Sequence, residues 1–361
     1  MALQKLVPST FRKRLKRVFI FVFILLSIFT LCLIYFQFNL KVRDGQIKIS
    51  DLISMRELYR WGLLKENSTE EVILNTPGFS PAPKVELCVG CIDIRLFPYL
   101  INEPDKCKEK TPFLFLLIAT EAKDLEKRNA IRNTWAHEVS DEGIPIGRLF
   151  MLGTNAAFSQ SIIQEESDTY HDIIQKEFQD TYRNLTIKVL MGMEWITNHC
   201  PGAKYTMKTD TDMFVNTEHI LQILKPNETA KPNFFTGLLM RNGNPHRDKS
   251  SKWYVSYSEY PDNKYADFCS GTGYLFSTDL APKIIRSSIH IRYLSLEDVF
   301  VGLCLRREGV ALTTPEKNYW FNIHRVHFHP CTYRNLITSH GVGPKELIEY
   351  WNAVKNHKGQ C

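Results

Sequence analysis

The fold is decided by residues 113–136, which read FLFLLIATEAKDLEKRNAIRNTWA. Residues 113–119 are a continuous apolar run typical of a buried strand, and residues 124–136 have the spacing of a helix. The same order returns along the chain. Strands are predicted at 149–153 and 205–209, and helices at 161–178 and 189–199. Repeated strand-then-helix order predicts an α/β fold with a mainly parallel sheet covered by helices.

The composition is that of a folded protein. Of the 361 residues, 44% are hydrophobic and 23% are charged, which excludes low-complexity and collagen-like chains. The net charge of +6 comes from residues 1–17, which hold six Lys or Arg and no acid, so the rest of the chain carries 39 basic and 39 acidic side chains. Because nucleic-acid binding needs a basic face, we expect no nucleic-acid partner.

Residues 18–38 predict a single transmembrane signal-anchor helix. They read VFIFVFILLSIFTLCLIYFQF, about 32 Å long as a helix, and no small-residue cleavage pattern follows. A cleaved secretory signal is the less favoured alternative. Most nearby positive charges precede the run, which predicts a cytosolic tail at 1–17 and type II topology, with the rest of the chain in the lumen.

Two other features agree with a luminal location. Acceptor sequences for N-glycosylation begin at Asn67, Asn184 and Asn227, all after the predicted anchor. Eight cysteines also follow it, and most of them are expected to form disulfides in an oxidising compartment, although the sequence does not choose the pairing. For Cys88-Val-Gly-Cys91 a disulfide is favoured over zinc, because no second such motif completes a tetrahedral site.

The luminal part divides near residue 108. Residues 39–108 contain the breaker-rich stretches NTPGFSPAP (75–83) and NEPD (102–105), which predict a stem. Residues 109–361 are predicted to form the catalytic domain.

A pair of carboxylates stands where the predicted strand 205–209 ends. The stretch 208–216 reads KTDTDMFVN and places Asp210 and Asp212 on one side of an extended chain. Ligands of open α/β sheets gather at the carboxyl ends of strands, and carboxylate oxygens suit Mg²⁺ or Mn²⁺ bridging a diphosphate. A solvated turn or helix cap is the alternative interpretation of the pair.

A second acidic pair, Glu297 and Asp298, opens the apolar stretch 296–302 (LEDVFVG), where either acid could simply cap a helix. Between the two pairs lies 268–274 (FCSGTGY), whose glycines allow a close ligand approach or a tight turn. Motifs for P-loop NTPases, zinc proteases, serine hydrolases and dinucleotide-binding proteins are absent from the sequence.

Together these segments resemble the β1,3-glycosyltransferases of glycosyltransferase family 31 over residues 100–355. The similar stretches, in order, are 128–135 (RNAIRNTW), 150–153 (FMLG), 166–188, 208–216, 268–274, 297–302 (EDVFVG) and 336–340 (LITSH). The stretches 103–107 (EPDKC) and 191–193 (MGM) are most similar to the β1,3-galactosyltransferase branch of this family. One departure is 321–329 (FNIHRVHFH), where the family has a different pattern, and this puts acceptor choice in doubt.

The resemblance implies a GT-A-type fold and Golgi localisation. It implies inverting, metal-dependent transfer of galactose from UDP-galactose in β1,3 linkage to a glycan ending in N-acetylglucosamine. N-acetylglucosaminyl or N-acetylgalactosaminyl transfer, a catalytically silent luminal sugar-binding protein and a metal-dependent hydrolase are the alternatives. The sequence does not give the oligomeric state.

Residue roles follow from this reaction. Asp210 and Asp212 are expected to hold Mn²⁺, with Mg²⁺ as the alternative, and the resemblance adds His340 as a ligand, for which a helix cap is the alternative. Asp298 is expected to be the general base, with Glu297 as its rival. Four residues are predicted donor contacts: Arg128, Arg132, Lys208 and Asp210. Trp253, Tyr257 and Glu297 are predicted acceptor contacts; for the two aromatic residues a core position is the alternative. His324, His327 and His329 have no assigned role; for the last two, a surface or core position is favoured over zinc.

Overall fold

A computed structural model describes residues 88–226 and 228–361. The predicted tail, anchor helix and glycosylation sites Asn67 and Asn227 lie outside these residues. Within the described part of the chain, no helix has both the length and the apolar character needed to cross a membrane.

The described chain forms nine strands. They are β1 (Tyr99–Ile101), β2 (Leu114–Ala119), β3 (Ile146–Thr154), β4 (Ile173–Gln179), β5 (Tyr205–Asp210), β6 (Met213–Val215), β7 (Phe235–Met240), β8 (Phe268–Ser277) and β9 (Thr338–His340). Eight α-helices accompany them. They are α1 (Leu125–Arg132), α2 (Gln160–Tyr170), α3 (Leu185–His199), α4 (Thr217–Leu224), α5 (Leu280–Ser288), α6 (Glu297–Arg307), α7 (Pro330–Asn335) and α8 (Pro344–Asn356).

Seven strands form one sheet in the order β1-β4-β3-β2-β5-β8-β7. The four central strands, β4, β3, β2 and β5, are parallel, and β1, β8 and β7 are antiparallel to their neighbours. The predicted α/β architecture with a mostly parallel sheet is therefore confirmed. The chain moves from β2 outward to β4 on one side and then to β5 on the other, so a crevice is expected where the carboxyl ends of β2 and β5 diverge.

Strand β2 is buried along its whole length because both faces of the sheet are covered. Its side chains alternate between two apolar clusters. Phe115 and Leu117 belong to one cluster, together with α3, α5 and α6, whereas Leu116 and Ile118 pack in the other, with Trp135 and the C-terminal helices. This packing fixes the height and register of the central strands, and therefore the positions of the residues at their carboxyl ends.

The helix predicted at 161–178 is wrong in its second half. Helix α2 ends at Tyr170, because His171 takes a left-handed conformation, with φ of 49°, and Ile173–Gln179 then forms β4. The apolar residues Ile173, Ile174 and Phe178 fit helical spacing, but they are also what a strand covered on both faces requires.

The predicted boundary between stem and domain lies too late in the chain. Strand β1 joins the edge of the main sheet by pairing with β4, and a disulfide connects Cys107 to Cys200. Residues 88–108 therefore belong to the folded domain rather than to a stem. The stem was predicted from Pro and Gly residues and from the lack of periodicity. A three-residue edge strand such as β1 is too short to produce a periodic pattern.

Six of the eight cysteines after residue 87 are paired, in agreement with the prediction that most form disulfides. The pairs are Cys88–Cys91, Cys107–Cys200 and Cys331–Cys361. Cys269 and Cys304 are free and buried.

Candidate active site

The two aspartates of the 208–216 stretch lie at the carboxyl end of the central sheet. Asp210 is the last residue of β5, and Asp212 stands in the turn to β6. Strand β6 pairs with β9 so that Met213 lies opposite His340. This pairing brings Nε2 of His340 to 3.2 Å from Oδ2 of Asp212. The structure thus brings two of the three predicted metal ligands, Asp212 and His340, into contact where both are partly exposed, and Asp210 stands two residues earlier with Oδ1 bonded to Lys208.

The protonation of His340 indicates what this arrangement can bind. Its Nδ1 lies 3.0 Å from the carbonyl oxygen of Ile323, which can only accept a hydrogen bond, so Nδ1 carries the proton. In the neutral ring, Nε2 then presents a lone pair to the Asp212 carboxylate. Nε2 of His340 and Oδ2 of Asp212 would then both be acceptors and would repel each other at 3.2 Å. A cation bound between them, or a second proton on the ring, removes this repulsion. A backbone carbonyl on the far nitrogen is also the usual support of a metal-bound histidine, so the residues fit a divalent cation.

Lys208 lies beneath this pair and does not reach into the crevice. Its side chain is fully buried, and its three donors are used by Asp210 Oδ1 at 2.9 Å, Glu297 Oε1 at 2.8 Å and the carbonyl of Gly271. Burial alone would lower the pKa of Lys208, but the charges of Asp210 and Glu297 outweigh it and raise that pKa, so the amine stays charged. The prediction that Lys208 contacts the nucleotide-sugar donor is therefore wrong. Its buried amine instead bridges Asp210 of the first acidic pair and Glu297 of the second.

The structure separates the roles of Glu297 and Asp298. Glu297 is only 2% exposed and accepts hydrogen bonds from Lys208 and from Tyr274 Oη, which corrects its prediction as an acceptor contact. Asp298 is partly exposed at the first turn of α6, where its oxygens accept from the backbone N–H groups of Gly271, at 3.0 Å, and Val299, at 2.9 Å. Of the two acids, Asp298 is the one that can meet a substrate.

Burial changes the acidity of these carboxyl groups. It raises the pKa of Glu297 to about 7, against the opposing charge of Lys208. It also raises the pKa of Asp298, and the two backbone N–H groups only partly offset this. Asp210 shifts upward for the same reason, with its pKa partly restrained by Lys208. A carboxylate with a raised pKa is a stronger base, which suits Asp298 for accepting a proton from a hydroxyl group.

Gly271 allows strand β8 to lie close to the first turn of helix α6. Gly271 lies directly against the acidic pair of α6, and a Cβ atom there would collide with the Glu297 carboxylate. Its N–H and C=O groups serve Asp298 and Lys208, respectively. The glycines of 268–274 therefore permit a close approach of strand and helix, which the sequence left open against a tight turn.

The prediction that Arg128 and Arg132 contact the nucleotide-sugar donor is wrong. Arg128 is fully buried and forms a two-bond pair with Glu166, at 2.8 and 2.6 Å, while its other donors go to residues 120–122. Arg132 pairs with Asp172, which Arg148 also binds. Their i and i+4 spacing places both arginines on one face of α1. This face packs inside the domain, against Glu166 of α2 and Asp172 just before β4. Both arginines stabilise the fold: the donors of Arg128 are all used, and Arg132 is buried and held by Asp172, Glu166 and Asn129.

Trp253 and Tyr257 are exposed aromatic side chains, and Trp253 is connected to the surroundings of Asp298 through Tyr182. Trp253 and Tyr257 are 44% and 62% exposed, so the interpretation as core aromatics is excluded and a surface role remains. Trp253 reaches the hydroxyl of Tyr182, whose pKa is raised by burial and by the charge of Asp298. Tyr182 was missed in the sequence. The signal that could have found it is an aromatic residue in a polar turn just before α3.

The remaining predicted residues lie outside this cluster. Asn184 is half-buried, and its Nδ2 donates to the carbonyl of Gln179. Residues 321–329 do not form a strand, and His324, His327 and His329 are exposed, as favoured for the last two. His329 accepts a hydrogen bond from the N–H of Cys331 and so caps α7.

The sequence was compared with models of known protein families. Residues 126–316 match the family model described as Galactosyltransferase. The chain belongs to the galactosyltransferase family. Residues 84–115 of this family member also match a model described as the N-terminus of beta-1,3-galactosyltransferase 2. That second match begins well before residue 108, in agreement with the earlier start of the folded domain.

Two mouse relatives show how close the similarity is. The chain is 53% identical to beta-1,3-galactosyltransferase 2 of Mus musculus over 266 residues, which are 73% of this chain and 63% of that protein. It is 46% identical to beta-1,3-galactosyltransferase 1 of Mus musculus over 264 residues, 73% of this chain and 80% of that protein. The matched region thus spans a little less than two thirds of the first relative.

Proposed function

We propose that this chain is an inverting transferase that moves galactose from UDP-galactose onto a terminal N-acetylglucosamine in β1,3 linkage. One observation carries the proposal. A partly exposed carboxylate with a raised pKa, Asp298, follows Glu297, whose carboxylate shares the buried Lys208 with Asp210, and Asp212 contacts His340 just beyond Asp210. A candidate base and a candidate cation site therefore lie at the same carboxyl end of the sheet. The names of the two relatives support this reaction.

In the proposed reaction Asp298 accepts the proton of the acceptor's 3-hydroxyl. The oxygen attacks the anomeric carbon of the sugar, and the bond to UDP breaks on the opposite face, so a single displacement inverts the configuration. Asp210, Asp212 and His340 would hold Mn²⁺, or Mg²⁺, which neutralises the charge that develops on the diphosphate. Gly271 and Val299 keep Asp298 oriented through their N–H groups, and Tyr182 and Trp253 offer aromatic faces to the acceptor sugar.

A donor screen tests the proposal. The purified full chain is incubated with Mn²⁺ and each of several UDP-sugars, with and without an acceptor ending in N-acetylglucosamine, and the release of UDP and the product linkage are measured. We expect UDP-galactose to be consumed only when the acceptor is present, with a β1,3-linked product. Consumption of UDP-N-acetylglucosamine or UDP-N-acetylgalactosamine would reassign the donor. Consumption without acceptor would indicate a hydrolase, and binding without turnover a silent sugar-binding protein.

We also propose that the enzyme is a single-pass type II protein of the Golgi membrane with its catalytic domain in the lumen. The apolar run at 18–38, the basic residues before it and the three disulfides of the folded domain support this placement. Protease treatment of sealed Golgi vesicles is the test. The catalytic domain should be protected until the membrane is opened with detergent, and digestion without detergent would reverse the topology.

A further inference from the structure

A second buried ion pair lies at the carboxyl end of the sheet, and the proposed reaction does not use it. Lys188, on α3, and Asp180, just after β4, form a 2.7 Å pair in which the two side chains are 4% and 5% exposed. Burying two charges is costly unless further hydrogen bonds satisfy them. Here those additional bonds all go to the backbone at the ends of neighbouring strands.

The pair connects three strand ends. Lys188 also donates to the carbonyl of Thr120, which follows β2, and Asp180 Oδ2 accepts from the N–H of Gly153, near the end of β3, at 3.0 Å. The N–H of Asp180 in turn donates to the carbonyl of Thr154. One buried pair thus fixes the ends of β2, β3 and β4 relative to each other.

The turn after β2 receives a second set of bonds. Arg128 donates to the hydroxyl of Thr120 and to the carbonyls of Glu121 and Ala122. Together with the bond from Lys188, this occupies every backbone carbonyl of residues 120–122 with a buried cation. The turn lies next to the carboxyl end of β5, because Ala119 pairs with Asp210.

We propose that Lys188 and Asp180 are positioning residues that hold the 120–122 turn in place as one wall of the donor site. This inference rests on the proposed function, because it assumes that a UDP-sugar lies between the ends of β2 and β5. Neither side chain is placed to touch the reacting atoms. A displacement of the turn would weaken nucleotide binding and leave the general base in place, since Asp298 is held by Gly271 and Val299.

The chain offers a matched control. Lys176 and Glu194 form a 2.6 Å buried pair with side chains 2% and 10% exposed, and Glu194 lies on α3 with Lys188. This control pair contacts the carbonyl of Ile94 and the hydroxyl of Tyr99, away from the carboxyl ends of the parallel strands. The test compares Lys188→Met/Asp180→Asn with Lys176→Met/Glu194→Gln, which remove the same charges and leave no unpaired ion.

Both full-chain variants are examined by calorimetry with UDP and Mn²⁺, by steady-state kinetics and by amide hydrogen exchange. For Lys188→Met/Asp180→Asn we expect the Kd for UDP and the KM for the donor to rise about tenfold or more, with kcat within about threefold. Exchange of the amides of residues 119–123 should also become faster. The control should lose comparable thermal stability and keep its UDP Kd within about twofold.

Equal effects of the two variants on UDP binding would overturn the proposal, because the pair would then be a general stabiliser of the fold. Unchanged UDP binding in Lys188→Met/Asp180→Asn would overturn it as well. If that variant does not fold, Lys188→Gln/Asp180→Asn, which also removes both charges and keeps a donor for the Thr120 carbonyl and an acceptor for the Gly153 N–H, is expected to show the same shift in reduced size. Asp212→Ala is measured in parallel. A failure of that variant to weaken UDP binding would count against the proposed function, whereas the exchange result reports on the turn independently.

Discussion

His340 and Asp212 are 128 positions apart in the chain, and yet Nε2 of the histidine lies 3.2 Å from Oδ2 of the aspartate. The contact exists because the two-stranded β6–β9 sheet places His340 opposite Met213, next to Asp212. With Nδ1 bonded to the carbonyl of Ile323, the histidine presents to the carboxylate the nitrogen that a metal would use. The first prediction follows from this geometry.

Asp212→Ala should weaken Mn²⁺-dependent UDP binding by at least about tenfold to a hundredfold, because losing a direct ligand should cost no less than losing a group that only orients the ligands. The fold should be retained, because the Asp212 side chain is 48% exposed. Calorimetry with and without Mn²⁺ measures the effect, and Asp168→Ala, at an exposed position of α2, is the control. Unchanged affinity would return Asp210 and Asp212 to the interpretation as a solvated turn.

Asp298→Asn should lower kcat by about 10² to 10⁴ and largely preserve donor binding, because the asparagine oxygen still accepts one of the two N–H groups that orient Asp298, but the amide is no base. Glu297→Gln should instead lower thermal stability, since it weakens a buried pair with Lys208. Kinetics and thermal melts of both variants separate the two roles. Normal turnover in Asp298→Asn together with a folded but inactive Glu297→Gln would exchange the assignments.

Arg128→Met should destabilise the domain by about 3 to 5 kcal/mol, because it removes one partner of a fully buried pair with Glu166. Denaturant unfolding measures the loss. Lys127→Met, on the same helix with a more exposed side chain, should change the free energy of unfolding by less than about 1 kcal/mol. A stable Arg128→Met protein that no longer binds UDP would restore the direct donor contact that the sequence suggested.

Acid should remove the stabilising contribution of Asp172. Burial alone would raise its pKa, but the hydrogen bond from Arg132 and the charges of Arg132 and Arg148 outweigh it and lower the pKa below 3.8. A carboxyl group whose pKa is lower in the folded state contributes stability above its unfolded pKa and loses it as the pH falls through the folded value. The difference in unfolding free energy between wild type and Asp172→Asn should therefore shrink below about pH 3.8. Melts between pH 6 and pH 3 test this, and a constant difference would contradict it.

Trp253→Ala should raise the acceptor KM by about two- to tenfold and leave the donor KM unchanged, because an aromatic contact contributes about 0.5 to 1.5 kcal/mol. Trp253 is 44% exposed, so the fold should tolerate the change. Initial rates over a range of acceptor concentrations give the effect, with the exposed Tyr319→Ala as the control. An equal rise of both KM values would show that the residue shapes the whole crevice rather than the acceptor side.

The two acidic motifs show how far local sequence could be interpreted. Adjacent positions on a helix point about 100° apart, so Glu297 and Asp298 face different surroundings, but spacing alone could not say which of them is buried. Packing against Gly271 and Lys208 decided that Glu297 is the buried one. Likewise, the spacing of Arg128 and Arg132 put both on one helix face, and only the position of Glu166 and Asp172 showed that this face is internal.

The sequence by itself determined the α/β class, most of the central elements and the position of Asp210 and Asp212 at a strand end, because these depend on local periodicity and on where an apolar run stops. It also indicated the family, through short motifs in a fixed order. The tertiary structure alone decided the register of β6 against β9, the inward turn of three predicted donor contacts, and the joining of strand ends by Lys188 and Asp180. These features depend on contacts between residues far apart in the chain, and such contacts form only when the sheet and its helices pack together.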